Sequence, residues 1–79
     1  METLREVISD ETKRVLELNN LEMGISDRFM IIKYVIEELN RVGITKFFGL
    51  SKELVSIRES ISNGIGKYYS LSIIRYIPE

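Results

Sequence analysis

Apolar side chains recur at helical spacing over residues 3–18, which predicts a first helix. Glu11 lies within the apolar stripe, so either a base such as Arg14 pairs with it or the helix restarts at Ser9. A restart would lack the hydrophobic staple that often accompanies a helix N-terminus. We therefore predict one continuous helix. Its apolar stripe consists of Leu4, Val7, Ile8, Val15 and Leu18.

The second predicted helix, over residues 26–42, carries more apolar surface than one face of a helix needs. Ser26 is its predicted N-cap, and Gly43 directly follows its last turn. Ile25 and Met30 are placed to form a hydrophobic staple across the cap. The apolar side chains cover roughly 220° of the helix, whereas a surface helix needs a stripe of about 100°. This helix is therefore predicted to be central to the fold or shared with another subunit. These side chains are Phe29, Ile31, Ile32, Tyr34, Val35, Ile36, Leu39 and Val42.

The rest of the chain predicts a third helix and a C-terminal element of uncertain type. Residues 44–49 are too short for periodicity to distinguish a helical turn from a strand. Ser51 is the predicted N-cap of a helix that runs to about residue 63 or 64, and Gly64-Ile65-Gly66 predicts a turn. Residues 68–77 predict a strand, with a helix as the alternative. The apolar stripe of the third helix consists of Leu50, Leu54, Ile57 and Ile61.

Composition restricts the chemistry that the chain can perform. Its 79 residues include 11 basic and 12 acidic side chains but neither Cys nor His. No disulfide can form, zinc lacks its usual ligands, and Ser-His or Cys-His nucleophile pairs are excluded. Glu37 and Glu38 are adjacent on a helix and point about 100° apart, so they do not clasp one site. We therefore expect a protein that is not an enzyme and that holds no cofactor or metal.

Apolar runs in the chain are short. The longest covers residues 29–32, far below the roughly 18 residues of a membrane span. The first residues lack the basic and apolar regions of a signal peptide. We therefore expect a cytoplasmic protein without a membrane partner. The richness in Ile and the absence of Ala suit an AT-rich genome, as in small archaeal or viral proteins.

Residues 44–56 resemble the core of a helix-turn-helix DNA-binding motif. In that family a short helix ends at a glycine-containing turn, followed by a hydrophobic residue, a capping Ser and, six residues after the glycine, a Val. Gly49, Leu50, Ser51 and Val55 occupy those places. The turn needs a residue that tolerates positive φ, and the next helix must present polar side chains to a major groove.

A second segment, residues 66–71, resembles the last wing strand of winged helix-turn-helix regulators. There a basic residue after a glycine is followed by a Tyr pair and an aliphatic residue, as in Gly66-Lys67-Tyr68-Tyr69-Ser70-Leu71. The two resemblances cover residues 43–71 and imply a small, dimeric, DNA-binding transcriptional regulator. The side chains that would face base edges are Ser51, Lys52, Ser56 and Glu59, and those that would hold phosphates are Lys46, Arg58 and Lys67.

The predicted fold is mostly α. It is a single domain over residues 1–79, with three helices, a helix-turn-helix-like segment and a short C-terminal β-strand or helix. One position separates two packing arrangements of the third helix. Its apolar stripe places Val55 about 120° from the apolar centre, whereas helix-turn-helix packing places that side chain inside.

Charge and apolar surface support two different functions. Residues 1–41 carry 6 basic and 9 acidic side chains, and residues 42–79 carry 5 and 3, so the candidate DNA-binding half is the basic one. The alternative is a protein-binding inhibitor or adaptor of a mobile-element or viral type, without nucleic-acid binding. Its evidence is the excess apolar surface of the second helix, which also makes a homo-oligomer the expectation. Candidate anchors for that function are Tyr68, Tyr69 and Tyr76, since Tyr is enriched at interface hot spots.

Overall fold

The computed structural model describes residues 2–69, and that part of the chain consists of three α-helices without a strand. They are α1 (Leu4–Leu18), α2 (Ile25–Arg41) and α3 (Ser51–Tyr69). The prediction of a small, mostly α domain with three helices is confirmed. The element predicted over residues 68–77 falls outside the described residues from residue 70 onward.

The first helix is continuous, as predicted. Thr3 caps it: the Thr3 hydroxyl accepts from the backbone N–H of Glu6 at 3.2 Å and donates to the Glu6 carboxylate at 3.1 Å. The Thr3 hydroxyl thus satisfies one of the backbone donors that a helix N-terminus leaves free, and the Glu6 carboxylate accepts from that hydroxyl. The buried Thr12 hydroxyl donates to the Ile8 carbonyl at 2.7 Å inside the helix.

The second helix begins one residue before its predicted start. Gly24 is the N-cap and supplies no side-chain hydrogen bond, so Ser26 lies inside the first turn and its prediction as the N-cap is wrong. Gly43 has φ +86°, which confirms its place just after the helix. Ile25 is therefore the first residue of the helix and does not precede its N-cap, so the predicted hydrophobic staple with Met30 is wrong, and both side chains are exposed.

Residues 42–50 connect α2 to α3 as an irregular loop, so neither the helical turn nor the strand predicted for residues 44–49 is present. The carboxylate of Glu53 explains this conformation. Its Oε1 atom accepts from the backbone N–H groups of Phe48 and Leu50, both at 3.0 Å. Gly49 turns the chain between them with φ +81°. The Leu50 carbonyl accepts the first helical hydrogen bond from Leu54 at 3.2 Å, so Leu50 is the N-cap and not Ser51.

The third helix runs through the turn that was predicted at Gly64-Ile65-Gly66 and is helical as far as Tyr69, the last described residue. The reason for glycine at position 64 is close packing and not chain reversal. A Cβ atom at Gly64 would lie 2.9 Å from Cδ2 of Tyr34 on α2 and 3.5 Å from Cδ1 of Ile31. Gly64 therefore allows the Tyr34 ring to lie directly against the backbone of α3.

We expect Gly64→Ala to lower the free energy of unfolding, although Ala is favoured over Gly inside a helix by about 1 kcal/mol. The new methyl group must displace the Tyr34 ring. In a Tyr34→Ala background the same substitution should stabilise by about 0.5–1 kcal/mol. Urea unfolding of the four proteins measures this coupling. An equal stabilisation in both backgrounds would show that the close contact carries no energy.

The core is aliphatic, and all three helices contribute to it. Val55 on α3 is 39% exposed, which agrees with the apolar stripe of α3 and not with an inward Val55. Leu54 is half-buried and Leu50 is 46% exposed, so only the C-terminal part of the predicted stripe is fully buried. The buried apolar residues are Val7, Ile8, Val15, Leu16, Met23, Ile31, Ile32, Val35, Leu39, Ile57, Ile61 and Ile65.

Candidate interaction surface at the α2–α3 loop

The loop between α2 and α3 exposes several large apolar side chains. Phe48 and Val42 are 71% and 70% exposed. The neighbouring Phe47 is half-buried and packs against the core, so it anchors the loop while Phe48 faces solvent. Glu53, only 7% exposed, fixes the backbone on both sides of Gly49. Phe48 is thus an exposed aromatic ring on a backbone that the hydrogen bonds to Glu53 hold in place. We call this end of the molecule, residues 42–52, the loop end.

Three of the predicted site residues lie at the loop end. Lys46, Ser51 and Lys52 are all exposed, the first in the loop and the other two in the first turn of α3. Arg41, the last residue of α2, lies next to this end in an exposed ion pair with Glu38 at 3.6 Å. Within residues 42–52 the charged side chains are Lys46 and Lys52, so the loop end itself carries a net positive charge.

Arg58, predicted to hold a phosphate, lies instead against α1. Its Nε and Nη2 atoms donate to Oε1 of Glu11 at 3.0 and 2.7 Å, and its side chain is 18% exposed. The second oxygen of Glu11 is buried without a hydrogen bond and lies 3.7 Å from Nη1 of Arg14. Arg14, the partner expected from the sequence, therefore makes a longer ion pair with Glu11 than Arg58 does. The charge of Arg58 is neutralised within the fold.

Ser56 and Glu59, two of the residues predicted to face base edges, line a cavity between α2 and α3. This cavity has a volume of about 190 Å³, and Glu38 and Val42 line its α2 side. The carboxylates of Glu38 and Glu59 therefore line this cavity, on the side of α3 where DNA bases were expected. We call the cavity the acidic groove. The predicted base-reading set is divided between this acidic groove and the basic loop end.

Lys67, the remaining predicted phosphate ligand, lies at the opposite end of α3. It borders a second cavity, of about 230 Å³, whose lining is mostly apolar. Met30 and Tyr34 of α2 and Tyr68 of α3 form its walls, and Gly64 lies between them. We call it the apolar cavity. The structure therefore does not bring Lys67 together with Lys46 and Lys52.

The C-terminal tyrosines of α3 differ in exposure. Tyr68 is 46% exposed at the apolar cavity, and a hydrogen bond with Asp27, with smaller contributions from desolvation and charge, raises the pKa of its phenol. Tyr69 is half-buried, and its hydroxyl donates to the Glu22 carbonyl. The two rings meet edge to face with centroids 5.2 Å apart. Gly66 to Tyr69 are helical, so the predicted wing strand is wrong for these residues, and Leu71 and Tyr76 lie outside the described residues.

Comparisons with known proteins assign the chain to no group. No protein-family model matches it, and neither a curated protein nor a solved structure is significantly similar to it. Within residues 2–69, no three acidic side chains gather in a way that could hold a metal ion. None of the three described helices is long and apolar enough to cross a bilayer.

Proposed function

We propose that the chain is a non-catalytic protein-binding module and that the loop end is its contact surface. The observation that carries this proposal is Phe48, an aromatic side chain that is 71% exposed on a backbone held by the buried Glu53. Aromatic side chains are frequent hot spots of protein interfaces. A held backbone also lowers the entropy lost on binding, which favours affinity.

The charge around Phe48 defines the chemistry of the partner surface. Lys46 and Lys52 are exposed on either side of Phe48 in the sequence, and Val42 and Leu50 are exposed apolar residues of the same loop end. A complementary surface has an apolar pocket for one aromatic ring and acidic groups at its rim. Such rim charges speed encounter and exclude wrong partners more than they add affinity.

DNA binding is the second candidate function, and one observation favours it. Lys46, Ser51 and Lys52 are all exposed near the N-terminus of α3. Basic side chains and the helix dipole both attract phosphate there. We rank it second because Arg58 is paired with Glu11 and because Glu38 and Glu59 line the adjoining groove. The short first helix of the motif is also replaced by the irregular loop.

Photo-crosslinking from position 48 in cells that produce the protein tests this proposal. We replace Phe48 by p-benzoylphenylalanine and, as a matched control, do the same at Ile25, which is also 71% exposed. We expect a crosslink to one protein species from position 48 and not from position 25. Mass spectrometry identifies the crosslinked partner.

Other crosslinking outcomes contradict the proposal. Equal, unspecific products from positions 48 and 25 would mean that the loop end is not a contact surface. Crosslinks to nucleic acid would favour the DNA-binding function. In that case DNA affinity should fall steeply with salt, and Lys52→Glu should lower the slope of log K against log[salt] by about 0.9.

A further inference from the structure

We propose that the loop end binds a second copy of this chain, with Phe48 of one copy seated in the apolar cavity of the next. This inference rests on the proposed function, because it names the partner of the same surface. The contact joins two different regions of the molecule, and we propose that each copy places its loop end on one neighbour and receives the loop end of another, so that the assembly grows head to tail. Such a heterologous contact closes into a ring or continues as a filament.

The apolar cavity has the size and lining for one large side chain. Its volume is about 230 Å³, below the roughly 300–1,000 Å³ of typical small-molecule sites. Met30 is 62% exposed and Tyr68 46% exposed at its rim. A Phe ring entering between them gains a sulfur–aromatic contact with Met30 and edge-to-face contacts with Tyr34 or Tyr68.

The two halves of this contact lie at opposite ends of the α2–α3 pair. The acidic groove joins residues 38–42 of α2 to residues 56–63 of α3, and the apolar cavity joins residues 30–34 to residues 64–68. The helices therefore run antiparallel, with the loop at one end and the apolar cavity at the other. About twelve helical residues at 1.5 Å each, or roughly 18 Å, separate Met30 from the start of the loop. Phe48 is exposed in its own chain, so the ring is free to enter a neighbouring copy.

The net charge of the chain is compatible with self-association, and the charged residues near the cavity indicate a substitution that should strengthen it. The chain has a net charge of only −1, so copies do not repel one another strongly. Asp27, which interacts with Tyr68 of the cavity wall, is an acidic partner near the cavity for Lys46 or Lys52 of the incoming loop. Lys67 is the basic residue of the cavity lining and opposes the incoming lysines. Lys67→Glu should therefore tighten self-association, whereas under the DNA-binding function it should weaken binding.

Sedimentation velocity of the full chain over a wide concentration range tests the proposal. We expect the wild type to form species larger than the 9.2 kDa monomer, and Lys67→Glu to form them at lower concentration. Phe48→Ala removes the inserted ring and Met30→Glu places a charge at the cavity. Each should weaken assembly by roughly 30-fold or more, as expected for loss of a hot-spot side chain. Ile25→Ser is the control that alters a 71% exposed residue outside the cavity and should leave assembly unchanged.

Wild-type species larger than a dimer, combined with mixing of the two defective variants, separate this arrangement from a symmetric dimer. Phe48→Ala retains the cavity and Met30→Glu retains the ring, so an equimolar mixture should form a one-to-one dimer that grows no further. A wild type that remains monomeric, a Phe48→Ala variant that assembles normally, or a mixture that stays monomeric would overturn the proposal. If the chain is monomeric but position 48 still crosslinks to a different protein, self-association fails while the proposed function stands.

Discussion

Replacing either member of the Glu11–Arg58 pair should lower the free energy of unfolding by about 3–5 kcal/mol. Glu11→Leu leaves the guanidinium of Arg58 without its acceptor, and Arg58→Met leaves the carboxylate of Glu11 without its two donors. Both side chains are largely withdrawn from water, with 7% and 18% of their surface exposed. A charge left unpaired in such a place costs its desolvation free energy without compensation.

The double replacement Glu11→Leu with Arg58→Met should restore most of the lost stability, because it removes both buried charges at once. Arg14→Met is the matched control. Its side chain is 59% exposed and lies 3.7 Å from Glu11, and exposed pairs of this kind contribute about 0–1 kcal/mol. Guanidinium unfolding of the wild type, both single variants and the double variant measures the coupling. Losses below about 1 kcal/mol in both single variants would contradict a structural role for the pair.

Ile57→Ala should lower the free energy of unfolding by about 2–5 kcal/mol, the range for a fully buried aliphatic side chain. Ile57 is completely buried at the centre of α3, where it contacts the aliphatic core. Leu54→Ala should cost less because that side chain is half-buried. Val55→Ala, at a residue that is 39% exposed, should cost least. The same unfolding titration gives the ranking, and a larger loss for Val55 than for Ile57 would show that α3 packs through the other face.

The periodicity of apolar residues predicted the helices well where the apolar stripe was long and no unusual residue interrupted the helix end. For α1 the absence of a hydrophobic staple at a restart correctly favoured one continuous helix. The turn predicted at Gly64 and Gly66 was wrong, since glycine occurs both in turns and at close contacts between helices. Only the position of Tyr34 in space distinguishes the two uses.

Side-chain partners distant in sequence were the second source of error. Arg58 was expected to be a surface base because it lies off the apolar stripe of α3. Its partner Glu11 lies 47 positions away, beyond any local pattern. Ser51 was expected to cap α3. Instead, the carboxylate of Glu53 accepts from the backbone N–H groups of Phe48 and Leu50 just before the helix.

The candidate site was partly predictable. Lys46, Ser51 and Lys52 were chosen from the sequence, and all are exposed at the loop end. Phe48 was missed because residues 44–49 are too short to show which of two adjacent Phe side chains faces solvent. The available signal was a Phe pair between Gly43 and Gly49, both of which adopt positive φ. Glycines on both sides of an aromatic pair are consistent with a turn that exposes one ring.

The most direct measurement of the central claim is the solvent accessibility of the Phe48 ring by fluorine NMR. The chain contains three Phe residues, so 4-fluorophenylalanine labelling gives three signals, assigned by substitution. In dilute protein a soluble paramagnetic agent should relax Phe48 most strongly, Phe29 less and the half-buried Phe47 least. When the chain associates with a second copy or another protein, the relaxation of Phe48 should fall while that of Phe29 stays unchanged. A Phe48 ring that is already protected in the monomer, or that remains fully accessible in the bound state, would contradict the account.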